Sequence, residues 1–264
     1  MLYVLLFLVT IIAPIIFWFW FFISHDRAEP EPKKLLFKVF LFGVVAAFLA
    51  LIVNLAVILA VLPEQSSNIL RGEGLQPTDG FSITVLLILF FLAAPLEEFL
   101  KYFVLRKYTY RKYEFNQIAD GVFYGVTLAL GFSFIENIFY FYRLMEEPIM
   151  IFSATVLVRG IATMLLHITT TGFIGYGLGK MKFTAGQSSF IILKFLVLAI
   201  LLHGIFNVLL LIPNGIILAF PLLFSAFIYL LFLLKKPETK LVWKLADSSS
   251  SGGDSKEDQP LASA

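Results

Sequence analysis

Two adjacent glutamates, Glu97 and Glu98, stand with Lys101 inside an apolar stretch that begins at Phe81. Placing one charge at the centre of a membrane helix costs roughly 2.5–3.5 kcal/mol, so such groups usually face the interior of a helix bundle and mark a functional site. Lys101 can pair with either carboxylate, because it follows them by four and three residues. One carboxylate is therefore in excess, which favours a chemical role. Pro95, just ahead of the glutamates, predicts a kink or broken turn.

Three further apolar stretches carry polar residues that could join this pair. Glu136 is followed by Asn137, His167 precedes a run of threonines and glycines, and His203 precedes Asn207 by one helical turn. When each residue is placed by its distance from the middle of its stretch, with a rise of ~1.5 Å per residue, the ionisable groups fall at comparable depths. We therefore expect four helices to bring these groups together.

Carboxylates, two histidines and an asparagine can activate water in two ways. In the first, a glutamate is the general base, and the histidines with Asn207 stabilise an oxyanion. In the second, His167, His203 and Glu136 bind Zn²⁺, which activates the water. The chain has no cysteine, which excludes thiolate catalysis and cysteine metal sites. These residue types leave both mechanisms open.

The elements that would position these residues are membrane helices. Of the 264 residues, 59% are hydrophobic and 14% are charged, and the mean hydropathy is +0.91. Several apolar runs reach the 18 residues of a membrane span, and they are continuous, which disfavours a β-barrel. The sequence predicts an all-α, polytopic membrane helix bundle of about seven transmembrane helices. The predicted spans are 2–24, 35–62, 81–106, 118–142, 148–180, 189–211 and 214–234.

The distribution of Lys and Arg predicts the orientation of these spans. Connections rich in Lys and Arg alternate with connections that hold one or none, which places the N-terminus outside and the C-terminus in the cytoplasm. The first apolar run is too long for a signal-peptide core, so we expect it to remain as a span. Residues 1–244 are predicted to form one membrane-embedded domain with a motif-bearing core at 81–211, and 245–264 a disordered cytoplasmic tail. Asp120 is expected to cap the fourth span.

Taken in order, these residues resemble the PrsW family of intramembrane proteases, which belongs to the larger group of CAAX prenyl endopeptidases and bacteriocin-processing or immunity proteins. The resemblance covers roughly residues 81–211. Its motifs are Glu97-Glu98-x-x-Lys101, Phe132-x-x-x-Glu136-Asn137, His167 and His203-x-x-x-Asn207. The larger group usually has an arginine one residue beyond this lysine and a histidine in place of Glu136. Both differences favour the PrsW branch.

The resemblance implies an intramembrane endopeptidase of the cytoplasmic (inner) membrane that hydrolyses membrane-anchored proteins, such as an anti-sigma factor at the first site of regulated proteolysis. Glu97 and Glu98 would be the catalytic pair, with His167 and His203 as the other essential groups. The supporting residues would be Lys101, Glu136, Asn137 and Asn207. Family descriptions favour a metalloprotease, whereas a metal-free mechanism has been argued for relatives. The expected partners are the lipid bilayer and a membrane-anchored protein substrate, with no nucleic acid.

Two functions of other classes are alternatives to proteolysis. A cation- or proton-coupled transporter or channel would use Glu97, Glu98 and Glu136 as a translocation site, and it would spread its carboxylates along a path. A non-catalytic membrane scaffold or immunity protein would retain a degenerate site that lacks a motif residue. No motif residue is missing from this sequence, and the carboxylates are predicted at one level, so we expect the protease.

Overall fold

The structure, a computed structural model, describes residues 2–25, 30–61, 89–184 and 190–236. Within these ranges the chain folds into seven helices and no strand. The helices are α1 (Leu2–Ser24), α2 (Lys33–Val61), α3 (Ala94–Thr109), α4 (Ile118–Arg143), α5 (Ile149–Phe183), α6 (Phe190–Leu211) and α7 (Ile216–Leu234). All except α3 are long and apolar enough to cross a membrane. The predicted class, an all-α polytopic membrane bundle, is confirmed.

Helix α3 is the predicted third span, and its charges set it apart from the other six. It is 16 residues long, and it packs against α2, α5 and α6 inside the bundle. Residues 81–88, with which this span was predicted to begin, lie outside the described residues, as does the predicted tail 245–264. The other predicted boundaries lie within a few residues of the observed ends, because long apolar runs fix where a membrane helix begins and stops.

Irregular turns interrupt the helices at three places in the described ranges. π-Helical turns occur at Leu8–Ile12 within α1, at Leu89–Ala93 directly before α3, and at Arg159–Thr163 within α5. Such turns are rare in proteins, and those that occur are often found at functional sites. The second one ends just before Pro95, which cannot donate a backbone hydrogen bond. The break predicted ahead of the glutamates is thus present as a π-helical turn.

The centre of the bundle is the pair formed by α4 and α5. Within the most apolar segment of each helix, 89% of α4 is buried, compared with 11% of α1 and 28% of α7. Gly121 of α4 faces Gly175 of α5, and a Cβ atom on either glycine would overlap the carbonyl oxygen of the other. Because glycines permit this close approach, the two backbones pack directly against each other. Of the predicted site residues, Glu136 and His167 lie on this pair.

The start of α4 is held by a capping box. The Asp120 carboxylate accepts the backbone N–H groups of Gln117 at 2.6 Å and of Asn116 at 2.8 Å. Backbone N–H groups in the first turn of a helix have no partner within the helix, and an acidic side chain satisfies them. The predicted capping role of Asp120 is confirmed.

Candidate active site

The ionisable residues of three helices meet in one layer of the bundle. Helix α3 contributes Glu97, Glu98 and Lys101, α5 contributes His167, and α6 contributes His203; we call these five residues the central cluster. The rings of the two histidines meet edge to face with their centroids 5.1 Å apart. Glu98, Lys101 and the two histidines are at most 2% exposed. The helices thus bring these groups together, as the sequence predicted.

Glu98 is anchored through a single carboxylate oxygen. Its Oε1 accepts hydrogen bonds from Lys101 Nζ at 2.9 Å, from Thr170 Oγ1 at 3.2 Å and from His203 Nδ1 at 2.7 Å. Its other oxygen, Oε2, is buried and has no hydrogen-bond partner among the described residues. The carboxylate is therefore fixed in orientation, while one oxygen remains available to a reactant.

Lys101 is the cation at the middle of the cluster. Its Nζ lies 2.9 Å from Glu98 Oε1, 3.9 Å from Glu97 Oε2 and 2.7 Å from His167 Nδ1. It also lies 4.0 Å from the centroid of the Phe132 ring. An ammonium group only donates hydrogen bonds, so the Nδ1 atom of His167 must accept. Both glutamates contact the lysine, as the sequence predicted, and Glu98 is the closer.

Glu136 lies behind His167 and joins it to Arg159. One carboxylate oxygen accepts from His167 Nε2 at 2.6 Å, and the other accepts from Arg159 Nη2 at 2.7 Å. The guanidinium of Arg159 lies 3.4 Å from the centroid of the Tyr140 ring. The proton of neutral His167 therefore resides on Nε2, and the lone pair of Nδ1 points into the central cluster. Glu136 orients this histidine, as a supporting residue would.

The two predicted supporting asparagines are not drawn into the cluster. Asn137 is buried on α4, and neither amide atom of its side chain bonds to a described residue. Asn207 lies one turn beyond His203 on α6 and is half-buried. Their supporting roles stay predictions.

Three residues that the sequence did not assign to the site contact it in the structure. Asn54 of α2 donates to Glu97 Oε1 at 3.2 Å, Thr170 donates to Glu98, and Arg159 pairs with Glu136. Asn54 is the strongly polar residue of an otherwise apolar span, and Arg159 is a charge inside another. Those two signals were present in the sequence. Thr170 gave none, because threonines in membrane helices commonly serve packing.

The cluster contains a group of side chains that can hold a metal ion. One donor atom from each of Glu97, His167 and His203 lies within 4.8 Å of the others. His203 Nε2 is 3.8 Å from Glu97 Oε2, an oxygen that is buried without a hydrogen-bond partner in the described part of the chain. Ligand atoms around tetrahedral zinc lie ~3.3–3.6 Å apart. These three residues therefore fit Zn²⁺.

Carboxylates behind the two histidines support the same fit. A histidine that binds a metal usually donates its other ring N–H to a carboxylate. Glu98 accepts from His203 Nδ1, and Glu136 accepts from His167 Nε2. In this geometry Glu97, rather than Glu136, completes the group of donor atoms, because Arg159 and His167 engage both oxygens of Glu136. Lys101 contacts the inward-facing nitrogen of His167, so the lysine competes with a metal for that atom.

Comparison with known proteins identifies the family. The family model described as "PrsW family intramembrane metalloprotease" matches residues 31–234. The chain belongs to the PrsW family. It is 28% identical over 191 residues to Protease PrsW of Geobacillus kaustophilus, covering 72% of this chain and 73% of that protein. It is 30% identical over 210 residues to Protease PrsW of Clostridioides difficile, covering 78% and 79%. For Protease PrsW of Bacillus subtilis the values are 27% over 200 residues, covering 74% and 78%. No solved structure matches the chain.

Membership of the PrsW family confirms the enzyme class predicted from the sequence. The chain is an intramembrane peptidase and a multi-pass membrane protein, and its family is described as metalloproteases. A transporter or a scaffold is not favoured, because Glu97 and Glu98 gather with two histidines at one level instead of following a path. The donor atoms of Glu97, His167 and His203 form the candidate site for the metal.

Proposed function

We propose that this PrsW-family protease hydrolyses peptide bonds of membrane-anchored proteins, with the central cluster as its active site. The observation that carries the proposal is the meeting of two glutamates and two histidines from three helices. Glu98 and both histidines are buried and hydrogen-bonded within the cluster, and Glu97 Oε2 lies 3.8 Å from His203 Nε2. The carboxylate oxygens Glu97 Oε2 and Glu98 Oε2 have no partner among the described residues. Burying a polar atom without a hydrogen-bond partner destabilises the fold. The presence of two such oxygens therefore indicates that a reactant or an ion binds to them.

The tautomers of the histidines favour metal binding over a metal-free oxyanion hole. Neutral His203 donates from Nδ1 to Glu98, and neutral His167 donates from Nε2 to Glu136, so the nitrogens that face the cluster carry lone pairs. A lone pair can bind a metal but cannot donate a hydrogen bond to an oxyanion. Glu97, His167 and His203 would hold Zn²⁺, which when bound activates a water molecule and polarises the scissile carbonyl.

The chain's other residues supply orientation and proton transfer. Glu98 fixes His203 through Oε1, and its Oε2 atom is placed to take the proton of the attacking water as general base. Glu136 fixes the ring of His167. Lys101 balances the negative charge of the glutamate pair inside a medium where an unpaired carboxylate is costly.

The proposal also includes the class of substrate and the membrane in which the enzyme lies. The substrate is a protein with a membrane anchor, and an anti-sigma factor remains a prediction from the family resemblance. We place the enzyme in the cytoplasmic membrane, with its N-terminus outside and its C-terminus in the cytoplasm. The alternation of positive connections supports this orientation.

Cleavage of a membrane-anchored reporter by the purified protein in lipid vesicles tests the proposal. His203→Ala is expected to reduce cleavage at least ~100-fold, since it removes a group from the reacting centre. His25→Ala is the matched control, because His25 lies at the end of α1 and not on the helices that form the cluster. Wild-type cleavage by the His203→Ala variant would overturn the assignment of the site.

A further inference from the structure

A small cavity lies between α1, α4 and α5, beside the Glu136–Arg159 pair. Its lining includes Thr10, Ile11, Asn137, Phe141 and Arg159. The volume of this cavity is about 10 Å³. That space is roughly what a single water molecule requires. The cavity is therefore of the size of a water site, not of a substrate pocket.

Polar atoms in the cavity wall need partners that the described protein atoms do not provide. Asn137 is 5% exposed, and both its Nδ2 and its Oδ1 atoms lack a hydrogen-bond partner among the described residues. The same holds for Nε of Arg159, although its Nη2 atom is bonded to Glu136. An unsatisfied buried amide destabilises the fold, and ordered water with two to four hydrogen bonds usually removes that cost. This wall offers two donor nitrogens and one acceptor oxygen.

Helix α1 closes the cavity through a close backbone approach. The π-helical turn Leu8–Ile12 of α1 meets the π-helical turn of α5 at Gly160, where a Cβ atom would overlap the carbonyl oxygen of Thr10. Helix α1 precedes residues 31–234, which match the family model. The wall that α1 supplies thus lies outside the segment that the family model matches.

Further unpartnered hydroxyls continue from the cavity towards His167. Thr163 is four residues from both Arg159 and His167, so it lies on the face of α5 that these two residues share. Ser133 lies one turn before Asn137 on α4. Thr163 is 4% exposed and Ser133 is 1% exposed, and neither hydroxyl has a partner within the described ranges. Four neighbouring side chains on two facing helices therefore have unused hydrogen-bonding atoms.

We propose that the cavity holds bound water and that Asn137, Arg159, Thr163 and Ser133 form the path by which water reaches the central cluster. Hydrolysis consumes one water per peptide bond, and four of the five cluster residues are at most 2% exposed, so a route for water through the protein serves the reaction. Asn137 and Thr163 are then positioning residues that act on water and not on the substrate. This inference rests on the proposed function, since it supplies the water that the proposed reaction uses.

Radiolytic hydroxyl labelling of the protein in vesicles tests for the bound water without requiring proteolysis. Radicals formed from a water in the cavity would oxidise Phe141, which lines it. Phe152 is the matched control, because it packs edge to face on Phe141 at 5.0 Å but does not line the cavity. We expect Phe141 to be labelled several-fold faster than Phe152, and Asn137→Leu to remove the difference. Equal labelling of both rings in the wild type would overturn the water site even if the protease is active.

A pair of threonine variants tests whether the path serves catalysis. Thr163→Val removes an unpartnered hydroxyl, whereas Thr169→Val removes a hydroxyl that is bonded to the Leu165 carbonyl on the same helix. Thr163→Val is expected to lower kcat about fivefold with KM unchanged, the equivalent of one lost hydrogen bond. Thr169→Val is expected to leave kcat unchanged. Equal effects of the two substitutions, or a change confined to KM, would contradict the path.

Discussion

Two polar clusters among the described residues differ in how fully the protein satisfies their hydrogen-bonding atoms. The cap cluster, formed by Gln117, Asp120 and Lys182, joins the start of α4 to the end of α5. There Asp120 accepts two backbone N–H groups, and Lys182 donates to the carbonyls of Phe115 at 2.6 Å and Lys112 at 3.3 Å. No buried side-chain atom of this cluster lacks a partner among the described residues, whereas Glu97 and Glu98 in the central cluster each have one that does.

This difference indicates that the cap cluster stabilises the fold and that the central cluster serves the reaction. The hydrogen bonds of the cap cluster go to backbone groups of the loop that precedes α4, so that cluster fixes where α4 begins and ties this loop to the end of α5. The central cluster bonds side chain to side chain across three helices and still leaves carboxylate oxygens unused. We expect substitutions in the central cluster to change activity most, and substitutions in the cap cluster to change stability alone.

Glu97→Gln should give the largest effect on activity. The substitution keeps the size of the side chain and its acceptor for Asn54, but it removes the negative oxygen that faces His203. Cleavage of the membrane-anchored reporter is expected to fall ~10²–10⁴-fold, while the thermal unfolding midpoint stays at the wild-type value. Glu146→Gln, on an exposed glutamate between α4 and α5, is the matched control. Equal cleavage by both variants would show that Glu97 is not required for activity, and the central cluster would then not differ from the cap cluster in this respect.

Lys101→Met should affect both activity and stability. Lys101 is the cation nearest to Glu98, and its removal leaves a buried carboxylate without its ionic partner. Breaking a buried ion pair from one side costs about 3–5 kcal/mol. We expect a lower unfolding midpoint in detergent together with loss of cleavage. Wild-type stability of this variant would show that the lysine does not balance the glutamate charge.

Asn54→Leu should have a moderate effect that is confined to activity. Asn54 holds Glu97 from α2 with one hydrogen bond of 3.2 Å, and a bond to a charged group contributes roughly 1.5 kcal/mol or more. Initial rates of cleavage are expected to fall about tenfold, with the unfolding midpoint unchanged. Full activity in this variant would show that Glu97 needs no support from α2.

Asp120→Ala should have the smallest effect, and that effect should appear in stability. The backbone N–H groups of Asn116 and Gln117 lose their bonds to the Asp120 carboxylate, which costs about 1–2 kcal/mol. Chemical unfolding in detergent would measure this loss. The rate of cleavage per folded molecule is expected to stay at the wild-type value. A large fall in that rate would show that the cap cluster contributes to activity.

Hydropathy predicted the fold well because membrane helices are bounded by their apolar length. The sixth span was predicted at 189–211 and is observed at Phe190–Leu211. The members of the central cluster were also predicted, since ionisable groups are rare inside apolar runs. Their partners were not predictable, because the rotation of each helix decides them. Asn54 meets Glu97, and Arg159 meets Glu136, only through the packing of α2 on α3 and of α4 on α5. The same rotation places Glu97 among the potential metal donors.

The metal content of the purified protein most directly tests the claim that Glu97, His167 and His203 form a hydrolytic metal centre. Elemental analysis of the wild type is expected to give about one zinc per chain, retained in Asp120→Ala and lost in His203→Ala. That result would show that these three residues bind the metal that the family's description as metalloproteases implies. A wild-type preparation that cleaves its substrate without any bound metal would contradict the account and assign the activation of water to the glutamates alone.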